Sequence, residues 1–75
     1  MLAYVLISLK KQNTEEVLER LRQIREIKVV HMLYGEWDFI TKLDLPNIEM
    51  LTTFTIEKIR SMPEVEMTST LIVAK

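Results

Sequence analysis

Residues 27–43, with the sequence IKVVHMLYGEWDFITKL, contain two β-strand patterns around the only glycine of the chain. Residues 27–33 are rich in β-branched and other apolar side chains, and residues 37–39 begin a second stretch with the alternation of apolar and polar residues that half-buried strands show. Gly35 lies between the two patterns and can adopt the positive φ that a tight turn requires. The stretch therefore predicts a β-hairpin at the centre of the chain.

The second strand of this hairpin is predicted over residues 37–43, WDFITKL. Successive side chains of a strand point to opposite faces of the sheet. One face is therefore expected to carry Trp37, Phe39, Thr41 and Leu43, and the other face Asp38, Ile40 and Lys42.

A strand and a helix are predicted before the hairpin. Leu2–Leu9 is a short, partly β-branched apolar run, which favours a buried strand over a helix. Asn13 or Thr14 can cap the helix that follows, and acidic residues in its first turn suit the helix dipole. The predicted apolar stripe of this helix consists of Val17, Leu18, Leu21 and Ile24.

A second helix and a last strand are predicted after the hairpin. Asp44 is expected to cap the helix, with Pro46 near its start, and Pro63 is expected to end it. Its apolar positions are Ile48, Leu51, Phe54, Ile59 and Met62. Residues 65–74, VEMTSTLIVA, are predicted to form a final strand, with Glu66, Thr68 and Thr70 on one side and Met67, Ser69, Leu71 and Val73 on the other.

The order strand, helix, strand, strand, helix, strand predicts an α+β fold of the ferredoxin-like βαββαβ type. In this fold a four-stranded antiparallel sheet carries two helices on one face and leaves the other face open. The first two strands and the end of the last are apolar on both sides, so the open face would expose hydrophobic surface. We expect a homodimer packed sheet to sheet as a dimeric α+β barrel, and a higher oligomer, from tetramer to decamer, built from it.

Length and composition narrow the ways in which this fold can be stabilised. A chain of 75 residues has room for one domain, expected to span residues 1–75. So small a domain commonly needs a disulfide, a metal or a partner subunit. The chain has no cysteine, and its one histidine, His31, has no acidic cluster at ligand spacing. No metal or cofactor is expected, and oligomerisation remains as the way to stabilise so small a domain.

Charge and hydropathy exclude further classes of partner. Ten basic and eleven acidic residues give a net charge of -1, which is no electrostatic footprint for direct nucleic-acid binding. The longest apolar runs are too short to span a bilayer and lack the features of a signal peptide. We therefore expect a cytoplasmic protein with no membrane partner.

The sequence contains no recognisable catalytic or nucleotide-binding motif, so we expect neither an enzyme nor a catalytic residue. His31 lies within the second predicted strand, where an imidazole could act as a base or a ligand. A single histidine without a partner carboxylate is more often a satisfied sheet or interface residue, and we favour that interpretation.

The turn Tyr34-Gly35-Glu36-Trp37-Asp38 combines a flexible backbone, two aromatic rings and two carboxylates. In one interpretation it is a tight turn whose aromatic side chains anchor the core. In the other, its backbone groups, with Asp38 or Glu36 as counter-charge, bind the amino and carboxylate groups of a small zwitterion. The residues alone leave both interpretations open.

Hydroxyl groups occur on both faces of the last predicted strand. Thr68 and Thr70 share one face, and Ser69 lies on the other. Threonine is common in strands for steric reasons, and we favour that interpretation. If the strand lies near the turn at an interface, however, the hydroxyls could hydrogen-bond an amino-acid head group. Polar surface or subunit contacts are predicted for Thr52, Thr53 and Thr55.

Residues 29–74 resemble the effector-binding domain of the leucine-responsive and asparagine-responsive (Lrp/AsnC) regulator family, known as the RAM domain. The resemblance is carried by GEWD at 35–38, similar to the family's Gly-x-aromatic-Asp turn, and by PEV at 63–65 followed by TST at 68–70. The second helix contributes Leu51, Phe54, Lys58 and Ile59. Glu64 stands where the family has a glycine, so the local turn is expected to differ.

The resemblance implies the same βαββαβ dimer, with amino acids bound between dimers. In the family, the glycine-aspartate turn and hydroxyl-bearing residues of the last strand hold the ligand. The matching positions here are Tyr34, Gly35, Trp37, Asp38, Thr68 and Thr70. Full-length members also carry an N-terminal helix-turn-helix DNA-binding domain, whereas this chain starts at the first strand of the sensor. The resemblance therefore implies a stand-alone version that binds its ligand or assembles with full-length regulators.

Three functions are compatible with these patterns. The first is an amino-acid-sensing and oligomerisation module with a pocket between dimers. The second is a cofactor-free oxygenase or isomerase of the dimeric α+β barrel type, with His31, Tyr34 and Trp37 in a deep pocket inside each subunit. The third is an adaptor that binds other regulators through a sheet edge. We favour the first, with the candidate ligand-binding residues Tyr34, Gly35, Glu36, Trp37, Asp38, Thr68, Ser69 and Thr70.

Overall fold

The described part of the chain, residues 1–11 and 13–75 of a computed structural model, has the predicted order of strands and helices. Its elements are β1 (Leu2–Leu9), α1 (Thr14–Arg22), β2 (Ile27–Met32), β3 (Phe39–Asp44), α2 (Ile48–Phe54), a π-helical turn (Thr55–Ile59) and β4 (Val65–Ile72). The strands form one antiparallel sheet in the order β2-β3-β1-β4. The prediction of a ferredoxin-like α+β fold is therefore confirmed.

Alternation in β1 and β3 places one set of side chains against both helices. These side chains, all without exposed surface, are Ala3, Val5, Ile7, Phe39, Thr41 and Leu43. They form one core with Val17, Leu18 and Leu21 of α1 and with Leu51 and Phe54 of α2. Thr41 is tolerated there because its Oγ1 donates a hydrogen bond to the backbone oxygen of Val5 at 3.1 Å. The face pattern predicted for the β3 residues is confirmed.

The first helix depends on its buried stripe more than on its cap. It begins at Thr14, with Asn13 as the N-cap residue, and carries Glu15 and Glu16 in its first turn. Asn13 forms no side-chain capping hydrogen bond with the described residues. The helix ends at Arg22, so Ile24 of the predicted stripe lies in the following turn, where it still packs against the core.

The second helix begins later than predicted, because its N-cap is Asn47 and not Asp44. Asn47 Oδ1 accepts a hydrogen bond from the backbone N–H of Met50 at 2.9 Å. Pro46 disfavours helical conformation in the residue before it, so the helix cannot begin at Asp44. Asp44 instead ends β3, and its Oδ1 lies 3.0 Å from the amino group of Met1.

The second helix also changes its geometry midway, from α to π. The N–H of Arg60 donates to the carbonyl of Thr55, five residues earlier, at 2.8 Å. Thr55 Oγ1 in turn donates to the carbonyl oxygen of Leu51 at 2.9 Å, where it competes with the regular helical ladder. The α-helix and the π-helical turn together, residues 48–59, are named here the α2–π segment.

The second face of the sheet, named here the open face, is not covered by any helix of the described residues. It carries Tyr4, Leu6, Ile40, Met67, Ser69 and Leu71. Met67 and Leu71 are 54% and 50% exposed. The strands thus present apolar side chains on the uncovered face as well, as their sequence patterns predict.

Candidate ligand-binding site

A groove of about 360 Å³, named here the β4 groove, lies between β4 and the α2–π segment. Thr68, Thr70 and Ile72 form its strand side. They pair in register with buried, helix-facing residues of β1. Since paired residues of neighbouring strands share a face, these three side chains also lie on the helix side of the sheet. β4 is an edge strand, so they remain accessible there.

The helix side of the β4 groove is a row of residues four apart. The row consists of Ile48, Thr52, Ile56 and Arg60. Residues four apart lie on the same side of a helix. The neighbouring row, Leu51, Thr55 and Ile59, is buried in the core. Packing of that buried row turns the exposed row toward β4.

The β4 groove combines three kinds of chemistry. Its threonine hydroxyls donate and accept hydrogen bonds, its isoleucine side chains offer apolar surface, and Arg60 supplies a positive charge. Among the described residues that line it, Arg60 alone is charged. Its volume is near the lower end of the range of about 300–1,000 Å³ for small-molecule sites. The groove therefore suits a ligand of amino-acid size with an ionised head group.

Sequence reasoning identified the strand side of the groove and missed most of the helix side. Thr52, predicted as polar surface or subunit contact, lines the groove. Thr55, from the buried row, lines the bottom of the same groove, and Thr53 lies on the other side of the segment. The signal that could have identified the helix side is the four-residue spacing of Ile48, Thr52, Ile56 and Arg60 beside the core stripe.

The predicted turn residues connect β2 to β3 at one end of the sheet. Gly35 has a φ of 130°, the positive value expected there. Tyr34 is fully exposed, Glu36 is exposed beside it, and Trp37 is half-buried. The interpretation in which both aromatic side chains anchor the core is therefore wrong for Tyr34.

Asp38 has a structural role that its place in the sequence does not reveal. Its Oδ2 accepts a hydrogen bond from the backbone N–H of Leu9 at 2.7 Å, and its own N–H donates to the oxygen of Ile7 at 2.9 Å. β3 pairs with β1 only as far as Phe39, opposite Ile7, so the carboxylate satisfies a β1 amide beyond the ladder. Asp38 thus holds the start of β3 to the end of β1.

Within one chain, the turn and the β4 groove are not brought together. Phe39, Ile7 and Thr68 form a row across β3, β1 and β4. Two strand spacings separate the ends of this row by about 10 Å. None of the turn residues 34–38 is among the described residues that line the groove. Ser69 lies on the open face, away from both threonines.

His31 lies on the open face, paired with Ile40 of β3. It is exposed and lines a depression of about 240 Å³ together with Ile40 and Lys42. Tyr34 and Trp37 are not among the described residues that line this depression. The described residues therefore do not form the deep pocket expected for an oxygenase or isomerase, in which these three side chains would meet.

The fold and the β4 groove are those of a small α+β ligand-binding domain. Residues 2–75 match the family model of the Lrp/AsnC ligand binding domain, and the chain belongs to this family. Among its relatives, HTH-type transcriptional regulator FL11 of Pyrococcus abyssi is 39% identical over 75 residues, which cover 100% of this chain and 49% of FL11. The proline dehydrogenase transcriptional activator of Rhizobium radiobacter is 33% identical over 64 residues, 85% of this chain and 41% of the activator. The chain thus spans about half the length, or less, of these regulators.

Solved structures support the same assignment of fold. The crystal structure of FFRP-DM1 superposes with a TM-score of 0.89 at 39% identity and covers 96% of each chain. The structure of Escherichia coli AsnC superposes with a TM-score of 0.92 at 25% identity and covers 99% of this chain and 50% of AsnC. The four-stranded sheet and its two helices are therefore those of AsnC-family regulators.

Two further properties of the described residues bear on possible partners. No helix among them is long and apolar enough to cross a membrane. Within the same part of the chain, no group of three or more histidine, cysteine, aspartate or glutamate side chains is placed to hold a metal ion.

Proposed function

We propose that this chain is an amino-acid-sensing and oligomerisation module in transcription regulation, and not an enzyme. The observation that carries the proposal is the β4 groove, where hydroxyl groups and a guanidinium border a space of amino-acid size. One relative is named as a transcriptional activator of proline dehydrogenase, which supports a connection with amino-acid metabolism.

The head group of an amino acid suits the strand side of the groove. Its ammonium and carboxylate groups both need hydrogen-bond partners when they leave water. A threonine hydroxyl can serve either group, because it donates one hydrogen bond and accepts two. Thr68 and Thr70 lie two residues apart on an edge strand with accessible side chains, so one ligand can reach both.

We infer that a second copy of the chain covers the open face in a homodimer. Met67 and Leu71 are about half exposed, and Tyr4, Leu6 and Ile40 are incompletely buried. Sheet-on-sheet packing would remove this apolar surface from water. Higher oligomers, from tetramer to decamer, would be built from this dimer by further contacts.

The complete ligand site is proposed to lie between copies. In one chain the β4 groove lacks the turn residues, which lie two strands away. The turn leaves Tyr34, Gly35 and Glu36 exposed at the end of the sheet, where another copy can approach them. A ligand held by the groove of one copy and the turn of another, including Trp37 and Asp38, would couple ligand binding to assembly. The same surfaces would allow assembly with full-length Lrp/AsnC regulators.

Isothermal titration calorimetry against the twenty amino acids tests the site. We expect at least one of them to bind with a Kd below about 1 mM. Thr68→Val and Thr70→Val each remove a hydroxyl while preserving shape, and each should weaken binding by several-fold to about tenfold. Ser69→Ala is the matched control, since it removes a hydroxyl from the opposite face of the same strand. Absence of binding in this range, or an equal loss in the control, would show that the assigned site is wrong.

A mixing experiment tests whether the site is shared between copies. Gly35→Val alters the turn through its backbone, because the φ of 130° disfavours other residues while nothing lies within 4 Å of the added Cβ. Co-expressed with a Thr68→Val/Thr70→Val chain, it should restore part of the affinity that each variant alone has lost. In the mixed oligomer, the intact groove of the Gly35→Val chain can meet the intact turn of the Thr68→Val/Thr70→Val chain. If the mixed oligomer binds no better than its parents, the turn and the groove do not share a ligand.

A further inference from the structure

Resting on the amino-acid site proposed above, we propose that the β4 groove selects amino acids with an uncharged aliphatic side chain and binds their carboxylate through Arg60. The hydrocarbon surface of the groove would hold the ligand side chain, and Arg60, the one cation among its described lining residues, would bind the ligand head group.

The apolar part of the groove is formed by exposed isoleucines. Ile48, Ile56 and Ile72 are 55%, 54% and 45% exposed, although they are large aliphatic side chains. Two of them come from the helix row and the third from β4, so they border the groove from both sides. An aliphatic ligand side chain placed between them would remove apolar surface of both partners from water.

Arg60 is suited to a carboxylate. It ends the helix row of the groove, and no carboxylate of the described residues lies within ion-pair distance of it. A guanidinium binds a carboxylate through two parallel hydrogen bonds, which fixes both position and orientation. Thr68 and Thr70 then remain for the ammonium group of the ligand. All three polar groups and the isoleucines border the same groove.

A second groove differs from the β4 groove in that carboxylates line it. It lies on the opposite side of the α2–π segment, with a similar volume of about 370 Å³. Glu26, Glu49 and Glu57 line it. No carboxylate occurs among the described lining residues of the β4 groove, so the cationic side chain of a lysine or arginine ligand, placed between the isoleucines, would lie near Arg60 with no carboxylate of that groove to pair with. An acidic side chain would have only Arg60 to pair with, in competition with its own α-carboxylate.

Titration with a panel of amino acids tests the selectivity. L-leucine, L-isoleucine, L-valine and L-methionine are expected to bind at least about tenfold more tightly than L-lysine, L-arginine, L-aspartate and L-glutamate. Ile56→Glu introduces a carboxylate at an exposed position of the groove and should shift the preference toward L-lysine. Binding of a charged amino acid with equal or higher affinity in the unmodified chain would overturn the selectivity while leaving an amino-acid site in place. Absence of binding by every amino acid would instead overturn the proposed function itself.

The role of Arg60 has its own test. Arg60→Gln should weaken L-leucine binding by about 10- to 100-fold, because a charge-assisted contact to the carboxylate is lost. Leucinamide lacks that carboxylate, so its weaker binding should be nearly unchanged by the same substitution. Lys58→Gln, which removes a cation from the second groove, is the matched control. Circular dichroism would verify that each variant is folded. Equal losses for leucine and leucinamide would show that Arg60 does not bind the carboxylate.

Discussion

The helix-covered face and the open face of the sheet are built from alternate residues of the same strands. On β1, Val5 and Ile7 have no exposed surface, whereas the alternate residues Tyr4 and Leu6, on the open face, are only half-buried. On β4, Leu71 of the open face is 50% exposed. One face therefore completes its burial within the chain, and the other leaves apolar side chains exposed for the proposed partner copy. If the proposed dimer forms, folding and assembly are determined by different, interleaved sets of residues.

The largest effect is expected from the helix-covered face. Phe39→Ala removes a fully buried ring from the core and should lower the free energy of unfolding by about 3–5 kcal/mol. Urea denaturation at several protein concentrations measures this loss, which should not depend on concentration. Ile40→Ala, the next residue on the opposite face, is the control. Its smaller cost should grow with protein concentration, since the proposed dimer interface would lie there. Equal, concentration-independent costs would contradict the distinction between the faces.

The next effect concerns assembly through the open face. Leu71→Asp would place a carboxylate inside the proposed sheet-to-sheet interface and should weaken dimerisation by about 3 kcal/mol or more. Light scattering coupled to size-exclusion chromatography would then show a monomer. Ile72→Asp is the matched control, because the adjacent residue is similarly exposed, at 45%, but lies on the helix side. A dimer that survives Leu71→Asp and dissociates with Ile72→Asp would assign the interface to the wrong face.

A smaller effect is expected where the turn joins the sheet. Asp38→Ala leaves the Leu9 amide without its acceptor and should cost about 1–3 kcal/mol of stability. Asp38→Asn keeps an oxygen for this amide and should cost less. If Asp38 also contacts the ligand as an anion, the asparagine variant will lose ligand affinity with little loss of stability. Equal stability of the alanine variant and the original chain would mean that the bond to Leu9 contributes nothing.

Much of this fold could be predicted from the sequence, because the spacing of residues along a strand or helix determines which side chains share a face. The alternation of residues 37–43 predicts that Phe39, Thr41 and Leu43 share a face, and all three are buried. The helix start was missed because Asp44 and Asn47 are both good caps. Pro46 decides between them through its effect on the preceding residue. The π-helical turn depends on one hydroxyl-to-carbonyl hydrogen bond from Thr55, which no periodicity reveals.

The candidate site was predicted less completely, since it depends on how elements pack. Period two places Thr68 and Thr70 on one face, and the sheet register shows the same arrangement. The four-residue row that includes Ile56 and Arg60 is visible in the sequence, but rotation of the helix over the sheet decides which row meets β4. Strand order likewise places β1 between β3 and β4, which separates Asp38 from the threonines. Sequence order alone does not determine that distance.

The smallest effect is expected from an ion pair on the helix-covered side of the sheet, whose contribution to stability depends on pH. Arg20 of α1 forms an ion pair with Glu64, just before β4. A hydrogen bond from the backbone N–H of Glu64, and then the one from Arg20, hold the pKa of its carboxyl below the ordinary value. Because the folded-state pKa is the lower one, this stabilisation is complete above the ordinary glutamate pKa of about 4.3 and is lost as the pH falls through the folded value. Urea denaturation at pH 7 and pH 3 should therefore show a smaller loss of stability for Glu64→Gln than for the original chain. Glu66→Gln, at an exposed position two residues further along the chain, is the control and should lose as much stability as the original chain. An equal loss of stability in both variants would show that Glu64 does not contribute to the acid response.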